Sequence, residues 1–253
     1  MKNCIVLGSG RSGTSMVAGA LAKSGYFMGD DLYGPRDANP KGFFEDPEIN
    51  GINEDLLARV VPRRPPILGR WFFRDRPVHR QRWLARVPVG ATIPVPPRLR
   101  TRIERAVARA PFCYKDPRFC YTLPAWRPHL ANTAFLCVFR HPAATAASIL
   151  KECRDASYLH SLKIDFAAAI EVWRLMHEHV LRIHSRKGDW LFVHFDQMID
   201  GSAIPRIESL LGAAVDRTFA EPELRRSASD AQIPSAVRVL YEELCRKAEY
   251  DPS

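Results

Sequence analysis

Residues 4–21 read Cys-Ile-Val-Leu-Gly-Ser-Gly-Arg-Ser-Gly-Thr-Ser-Met-Val-Ala-Gly-Ala-Leu, and this stretch decides the architecture. Cys4 to Leu7 are a short apolar run stopped by glycine, the pattern of a buried strand, and Met16 to Leu21 open a helix of small and apolar residues. Between them lies a glycine-rich turn carrying Arg11 and the hydroxyls of Ser12, Thr14 and Ser15. A strand, loop and helix in this order turn successive backbone N–H groups, and the positive end of the helix dipole, toward one point. The chain therefore begins with a phosphate cradle.

Two general loop patterns come close. Gly8, Gly10 and Gly13 satisfy G-x-G-x-x-G, and Gly8 to Ser15 approach G-x-x-x-x-G-K-[ST]. The nucleoside-triphosphate version needs a lysine where this chain has Thr14. The dinucleotide version needs a second strand ending in an acid about twenty residues on. Asp30 and Asp31 lie near that distance, but Gly25 to Gly29 make a poor strand.

The string Arg11-Ser12-Gly13-Thr14-Ser15 resembles the 5′-phosphosulfate loop of sulfotransferases that use 3′-phosphoadenosine 5′-phosphosulfate (PAPS), where a basic residue precedes Ser-Gly-Thr-Ser/Thr. Three further stretches extend the resemblance. Phe135 to Phe139 read as a strand followed by Arg140-His141-Pro142 and a small-residue helix, Ala143 to Leu150. Arg140 and Ser148 then match the family's Arg-x-Pro-x-x-x-x-x-Ser, which implies a hold on the cofactor's 3′-phosphate. A planar guanidinium suits that task, because it makes paired contacts to phosphate oxygens. Phe112 to Arg118, with Lys115-Asp116-Pro117-Arg118, resembles the family's Lys-Asp-Pro elbow, whose lysine faces the transferring group. Asn39-Pro40-Lys41-Gly42-Phe43-Phe44-Glu45-Asp46, followed by a helix with Asn50, Asn53 and Leu56-Leu57, is similar to the family's Asn-Pro-Lys-Gly-Tyr-Phe-Glu segment. Arg186-Lys187-Gly188 is not counted with these. It precedes the strand Leu191 to Phe195, and a turn explains its glycine.

The resemblance implies an α/β fold of the P-loop type, a three-layer sandwich with a central parallel sheet, forming a single domain over 1–253. It also implies sulfuryl transfer from PAPS to a hydroxyl or amine of a carbohydrate, lipid or other small-molecule acceptor, releasing adenosine 3′,5′-bisphosphate without a metal. Gly10, Arg11, Ser12, Gly13, Thr14 and Ser15 would hold the 5′-phosphosulfate, and Arg140 and Ser148 the 3′-phosphate. Lys115 and Arg11 would meet charge developing on the leaving group, as cation clamps do in phosphoryl transfer. Glu45 is the expected base, with Asp46, Asp116 and His141 as competitors. A P-loop small-molecule kinase and a non-catalytic nucleotide-binding protein remain the alternatives.

Charge is distributed unevenly. Arg59 to Arg109 hold fourteen arginines against Asp75 and Glu104, an excess larger than the whole chain's +9, so the remainder is slightly acidic. Eight of the twenty prolines fall in the same stretch, with Trp71, Phe72, Phe73 and Trp83 among them. Prolines deny it long helices while the aromatics argue against a disordered linker. Residues 59–100 therefore read as an insertion or acceptor lid, followed by a basic helix from Pro97 to Ala110. Nucleic acid, which basic and aromatic residues together can bind, is not the expected partner.

The remaining pattern alternates helix and strand. Phe166, Ile170, Trp173, Met176, Val180 and Ile183 are spaced as a sheet-covering helix over 165–184, with His177, His179 and His184 as packing or surface residues rather than a metal site. Ile204 to Leu211 is a helix ended by Gly212, the polar tail includes Arg225-Arg226-Ser227, and a last amphipathic helix runs from Ala236 to Ala248. No apolar run approaches the ~18 residues of a membrane span. The first strand begins almost at once, leaving no room for a signal peptide. Six dispersed cysteines read as reduced core residues of a cytoplasmic protein.

Overall fold

The computed structural model describes residues 1–35, 41–220 and 231–252. Asn39 and Pro40 of the fourth matching stretch, and Arg225-Arg226-Ser227 of the tail, fall outside them. Four strands, β1 (Asn3–Leu7), β2 (Cys113–Lys115), β3 (Thr133–Phe139) and β4 (Asp189–His194), form one parallel sheet in the order β2-β1-β3-β4. Each is a nearly continuous apolar run, as expected of strands covered on both faces.

Successive side chains point to opposite faces of a strand, and the sheet sorts them accordingly. Ile5, Leu7, Tyr114, Phe135, Cys137, Phe139 and Phe192 belong to one buried cluster; Cys4, Val6, Cys113, Leu136, Val138, Leu191 and Val193 belong to the other. The second face is covered by α1 (Thr14–Ala20), α7 (Phe195–Ile199) and α8 (Ile204–Leu211). The first carries α2 (Pro47–Leu57), α3 (Pro97–Val107), α4 (Phe119–Trp126), α5 (Pro142–Asp155), α6 (Phe166–His179) and α9 (Ser235–Ala248). This is the three-layer α/β sandwich with a central parallel sheet that the sequence predicts.

Local chemistry explains the helix ends. Asp46 caps α2, accepting from the Glu48 and Ile49 amides at 2.8 and 3.1 Å, with Pro47 at the first helical position. Asp165 caps α6 through the Ala168 amide at 2.8 Å, and Gly212 ends α8 in the left-handed conformation. Several boundaries differ from expectation: α3 stops at Val107 rather than Ala110, α5 runs on to Asp155, and β3 starts at Thr133. α1 starts at Thr14, because Gly13 already takes the positive φ that frees the chain to turn. β4 starts at Asp189 and stops at His194, whose ring accepts from the Asp196 amide and opens α7 with Phe195. The 165–184 helix closes in a wider turn over Val180–His184, where buried His184 contacts the Cys120 carbonyl at 2.9 Å.

The proline-rich stretch forms only the single turns Leu68–Arg70 and Arg82–Leu84 before α3. Its second half is part of the core: Trp83, Leu84, Ala85 and Val87 are buried. The strand order reverses direction at β1, with β2 on one side and β3 on the other. Ligands of open α/β sheets bind beyond the carboxyl ends of the strands at such a point.

Candidate active site

Beyond those carboxyl ends lies a cleft of about 330 Å³. The loop after β1 forms one wall through Gly10, Arg11, Gly13, Thr14 and Ser15. A Cβ on Gly10 would sit 2.5 Å from the Trp83 ring, and one on Gly13 would sit 2.6 Å from the Phe195 ring. The loop thus threads between two aromatic rings with room for bare backbone only. Gly13 also sits at φ 97°, which glycine adopts without strain. No side chain caps α1 at its N-cap, Gly13.

The Phe195 ring joins two parts of the site. It backs Gly13 on one side, and the Arg140 guanidinium lies 4.5 Å from its centroid. Arg140, just past β3, is fixed further by its carbonyl, which accepts from Trp173 Nε1 at 3.1 Å. Eight residues on, along α5, Ser148 Oγ accepts from Arg11 Nε at 3.2 Å, and Arg11 also reaches Glu152 at 3.7 Å. Arg11, Arg140 and Ser148 therefore share one end of the cleft.

Lys115 occupies the other end, at the last position of β2. Its ammonium donates to Glu45 Oε1, and Asn50 Nδ2 donates to Glu45 Oε2 at 2.7 Å. Burial alone would raise the Glu45 carboxyl. The Lys115 and Arg118 charges and the hydrogen bonds from Lys115 and Asn50 outweigh it and hold the pKa below its ordinary value. Glu45 is positioned by backbone on one side and a helix cap on the other: its carbonyl accepts from the Tyr33 amide at 2.9 Å, and Asp46 begins α2.

Two solved structures share this architecture. The sulfotransferase domain from the curacin biosynthetic pathway aligns over 99% of this chain and 98% of its own, with TM-score 0.57 and 11% identity. The sulfotransferase domain of the Synechococcus PCC 7002 olefin synthase aligns over 100% and 98%, with TM-score 0.53 and 15% identity. The chain has the sulfotransferase fold. No protein-family model matches the sequence, and no curated protein matches it either.

Within the sulfotransferase fold, other residues singled out from the sequence take structural places. Ser12 is fully buried, with its hydroxyl 3.4 Å from Thr145 on α5, and so ties the loop to that helix. Asp46 is the α2 cap, and its second oxygen accepts from the Asp30 amide at 3.2 Å. Asp116 is completely buried and accepts from Asn53 at 2.9 Å and from the Arg118 amide and guanidinium at 2.9 and 3.0 Å. Burial, aided by Glu45, pushes its pKa up against the pull of Arg118 and Asn53. The His141 ring packs edge-on against Tyr241, and burial followed by the Arg140 charge keeps it neutral more readily than an ordinary histidine.

Three polar residues of α2, Asn50 and Asn53 from the fourth matching stretch and Glu54, which the sequence did not single out, build the polar network at and below the cleft. Glu54, on α2, binds Arg118 Nε at 2.9 Å and Arg82 Nη1 at 2.7 Å, so the floor of the cleft and the arginine-rich stretch share one carboxylate. Asn53 accepts from Thr122 at 2.7 Å and Trp126 at 2.9 Å while donating to Asp116. Asn50 is 7% exposed and its Oδ1 has no hydrogen-bond partner among the described residues. It lines the cleft beside Glu45. The matching stretch already carried Asn50; nothing local points to Glu54 or to Phe195.

Proposed function

We propose that this chain transfers a sulfuryl group from PAPS to a hydroxyl or amine of a carbohydrate, lipid or other small-molecule acceptor, as a metal-independent cytoplasmic enzyme. The observation that carries this reading is the joint placement of Lys115 and Glu45 at one end of the cleft and Arg11, Arg140 and Ser148 at the other, with the β1 loop between. The donor set fits the group: cations and loop amides suit its phosphates.

PAPS supplies an activated sulfuryl group on a 5′-phosphate. The loop amides with Thr14 and Ser15 orient the 5′ end; Arg140 and Ser148 select the 3′-phosphate. Glu45 Oε2, oriented by Asn50 Nδ2, accepts a hydrogen bond from the nucleophile's own proton. Glu45 takes the proton as the new S–O or S–N bond forms and the bond to the phosphate oxygen breaks. Lys115 and Arg11 meet the negative charge left on that oxygen. As Lys115 turns from Glu45 toward the leaving oxygen, the ammonium that depresses Glu45 withdraws, and the carboxylate gains basicity when the proton must be taken. The buried thiols Cys4, Cys113, Cys120, Cys137 and Cys245 are unpaired, consistent with a reducing compartment.

The test is transfer from sulfur-labelled PAPS to a panel of sugars, lipids, phenols and amines, alongside titrations with adenosine 3′,5′-bisphosphate and ATP. Labelled product and preference for the bisphosphate are expected. Preference for ATP with phosphate transfer would replace this reading by a kinase, and tight bisphosphate binding with no product across the panel would replace it by a binding protein.

A further inference from the structure

The first half of the arginine-rich stretch has a surface that the cleft does not explain. Among the described residues, Ile67, Leu68, Trp71 and Phe72 are 81%, 57%, 80% and 75% exposed. Exposed apolar residues scattered singly are ordinary, but four large ones within six positions form a patch. The Gly69 amide donates to the Pro65 carbonyl at 2.8 Å and the Phe72 amide to the Leu68 carbonyl at 3.0 Å. These are helical i to i+4 bonds, so Ile67 with Trp71 and Leu68 with Phe72 stand on one side of the turn.

The patch is held out on a fixed base. Arg64 donates to the carbonyls of Arg76, Ser161 and Arg74 at 2.8, 3.0 and 3.1 Å. Arg74 donates to the His160 carbonyl at 3.1 Å, Arg76 to that of Arg63 at 2.9 Å, and the Lys163 amide to that of Arg74 at 2.7 Å. These partners are neutral, so the cationic charge stays. No carboxylate forms a salt bridge with Arg63, Arg64, Arg74 or Arg76 among the described residues; Asp75, paired with Arg86 at 3.3 Å, adds a longer-range attraction to Arg64.

We propose that Ile67, Leu68, Trp71 and Phe72, with the flanking Arg63, Arg64, Arg74 and Arg76, dock this protein on an anionic phospholipid surface. The apolar side chains enter the interfacial region, where indole and phenyl rings partition well, while the arginines meet lipid phosphates. Charge favours this occupant over a second copy of the chain, since a two-fold contact through the patch would set the same uncompensated arginines against each other. His79, Arg80 and Trp83, a few residues along the same stretch, line the cleft. Docking would thus bring the cleft near the membrane. The surface is independent of the chemistry in the cleft, and its test does not use turnover.

The experiment is co-sedimentation of the full chain with phosphatidylcholine vesicles and with vesicles containing about 30% phosphatidylglycerol, at low and high salt. Binding to the anionic vesicles only, weakening with salt, is expected. Trp71→Ser with Phe72→Ser should reduce it at least tenfold with an unchanged melting temperature, and Arg63→Glu with Arg74→Glu should also reduce it. Absence of binding at low salt, or binding that survives Trp71→Ser with Phe72→Ser, overturns the proposal. So does a vesicle-free dimer that the same double variant abolishes, which would assign the patch to a second copy.

Discussion

The two ends of the cleft are built from similar residues and held in opposite ways. At the Lys115 end every charge faces another: Lys115 on Glu45, Arg118 on Glu54 and Asp116, Arg82 on Glu54. At the Arg140 end the guanidiniums of Arg140 and Arg11 meet a ring, a hydroxyl and, at 3.7 Å, a carboxylate. Arginine stays charged across the working pH range, so the second end is a fixed cationic seat. The first is an ion-pair network in which the Lys115 and Arg118 charges hold Glu45 below its ordinary pKa, against burial, and burial raises Asp116. Binding and chemistry should therefore respond to different substitutions and different conditions.

The sharpest way to break this division is Glu45→Gln. Turnover should fall by about two to four orders of magnitude, while affinity for adenosine 3′,5′-bisphosphate, measured by calorimetry, stays near normal. Near-normal turnover with saturating acceptor would remove Glu45 as the base. The same division has a pH signature. Because Glu45 titrates below the ordinary carboxylate value, it remains ionised there, and the activity it supports disappears only as pH falls through the lowered pKa. The stability of its pair with Lys115 has the same sign: present above the unfolded carboxyl pKa, lost as pH falls through the folded one. An acid limb at or above the ordinary carboxylate value would contradict this. Lys115→Ala should likewise lower kcat more than donor affinity. A melting curve is needed alongside, since it strands a buried carboxylate.

At the other end, Arg140→Ala should weaken adenosine 3′,5′-bisphosphate by about ten- to a hundredfold, from the ~1.5–3 kcal/mol of a charged hydrogen-bonded contact. AMP, which lacks the 3′-phosphate, should hardly change. Equal losses would take the 3′-phosphate away from Arg140.

A smaller effect sharpens the comparison within the chemical end. Asn50→Ala removes the orphan acceptor and one hydrogen bond to Glu45. It should raise the acceptor's KM roughly fivefold, in keeping with ~1 kcal/mol for a neutral hydrogen bond, and leave bisphosphate affinity alone. The mildest prediction concerns the loop itself. Gly10→Ala pushes a methyl against the Trp83 ring, and overpacking of about 1–3 kcal/mol should lower the melting temperature by several degrees, readable by calorimetry.

The contrast between the ends also explains what the sequence disclosed. The Arg140 end is local: a strand, a loop and a helix each carry their own punctuation, so β1 with Gly8 to Ser15, and β3 with Arg140 and Ser148, could be read as written. The three-layer fold was legible for the same reason, because buried parallel strands are continuous apolar runs. The Lys115 end depends on contacts across distant positions. Glu54 meets Arg118 and Arg82, and Asn53 meets Asp116 and Trp126, pairs that no spacing rule announces. Asp46 and Asp116 therefore stand in the sequence as competitors to Glu45, and only the structure shows their oxygens committed to amides and a guanidinium. Composition likewise could not divide the arginine-rich stretch into a half that is core and a half that exposes Trp71 and Phe72.

The central position of β1 has a consequence for how the protein is made. Its residues leave the ribosome well before either neighbour in the sheet, since β2 and β3 begin only at Cys113 and Thr133. At about 5–20 residues per second, the interval before pairing can start is roughly 5–20 s. Through that interval Cys4 to Leu7 and the α1 face behind them have no sheet to join. The nascent chain therefore carries this apolar segment unpaired through that interval, open to holding chaperones.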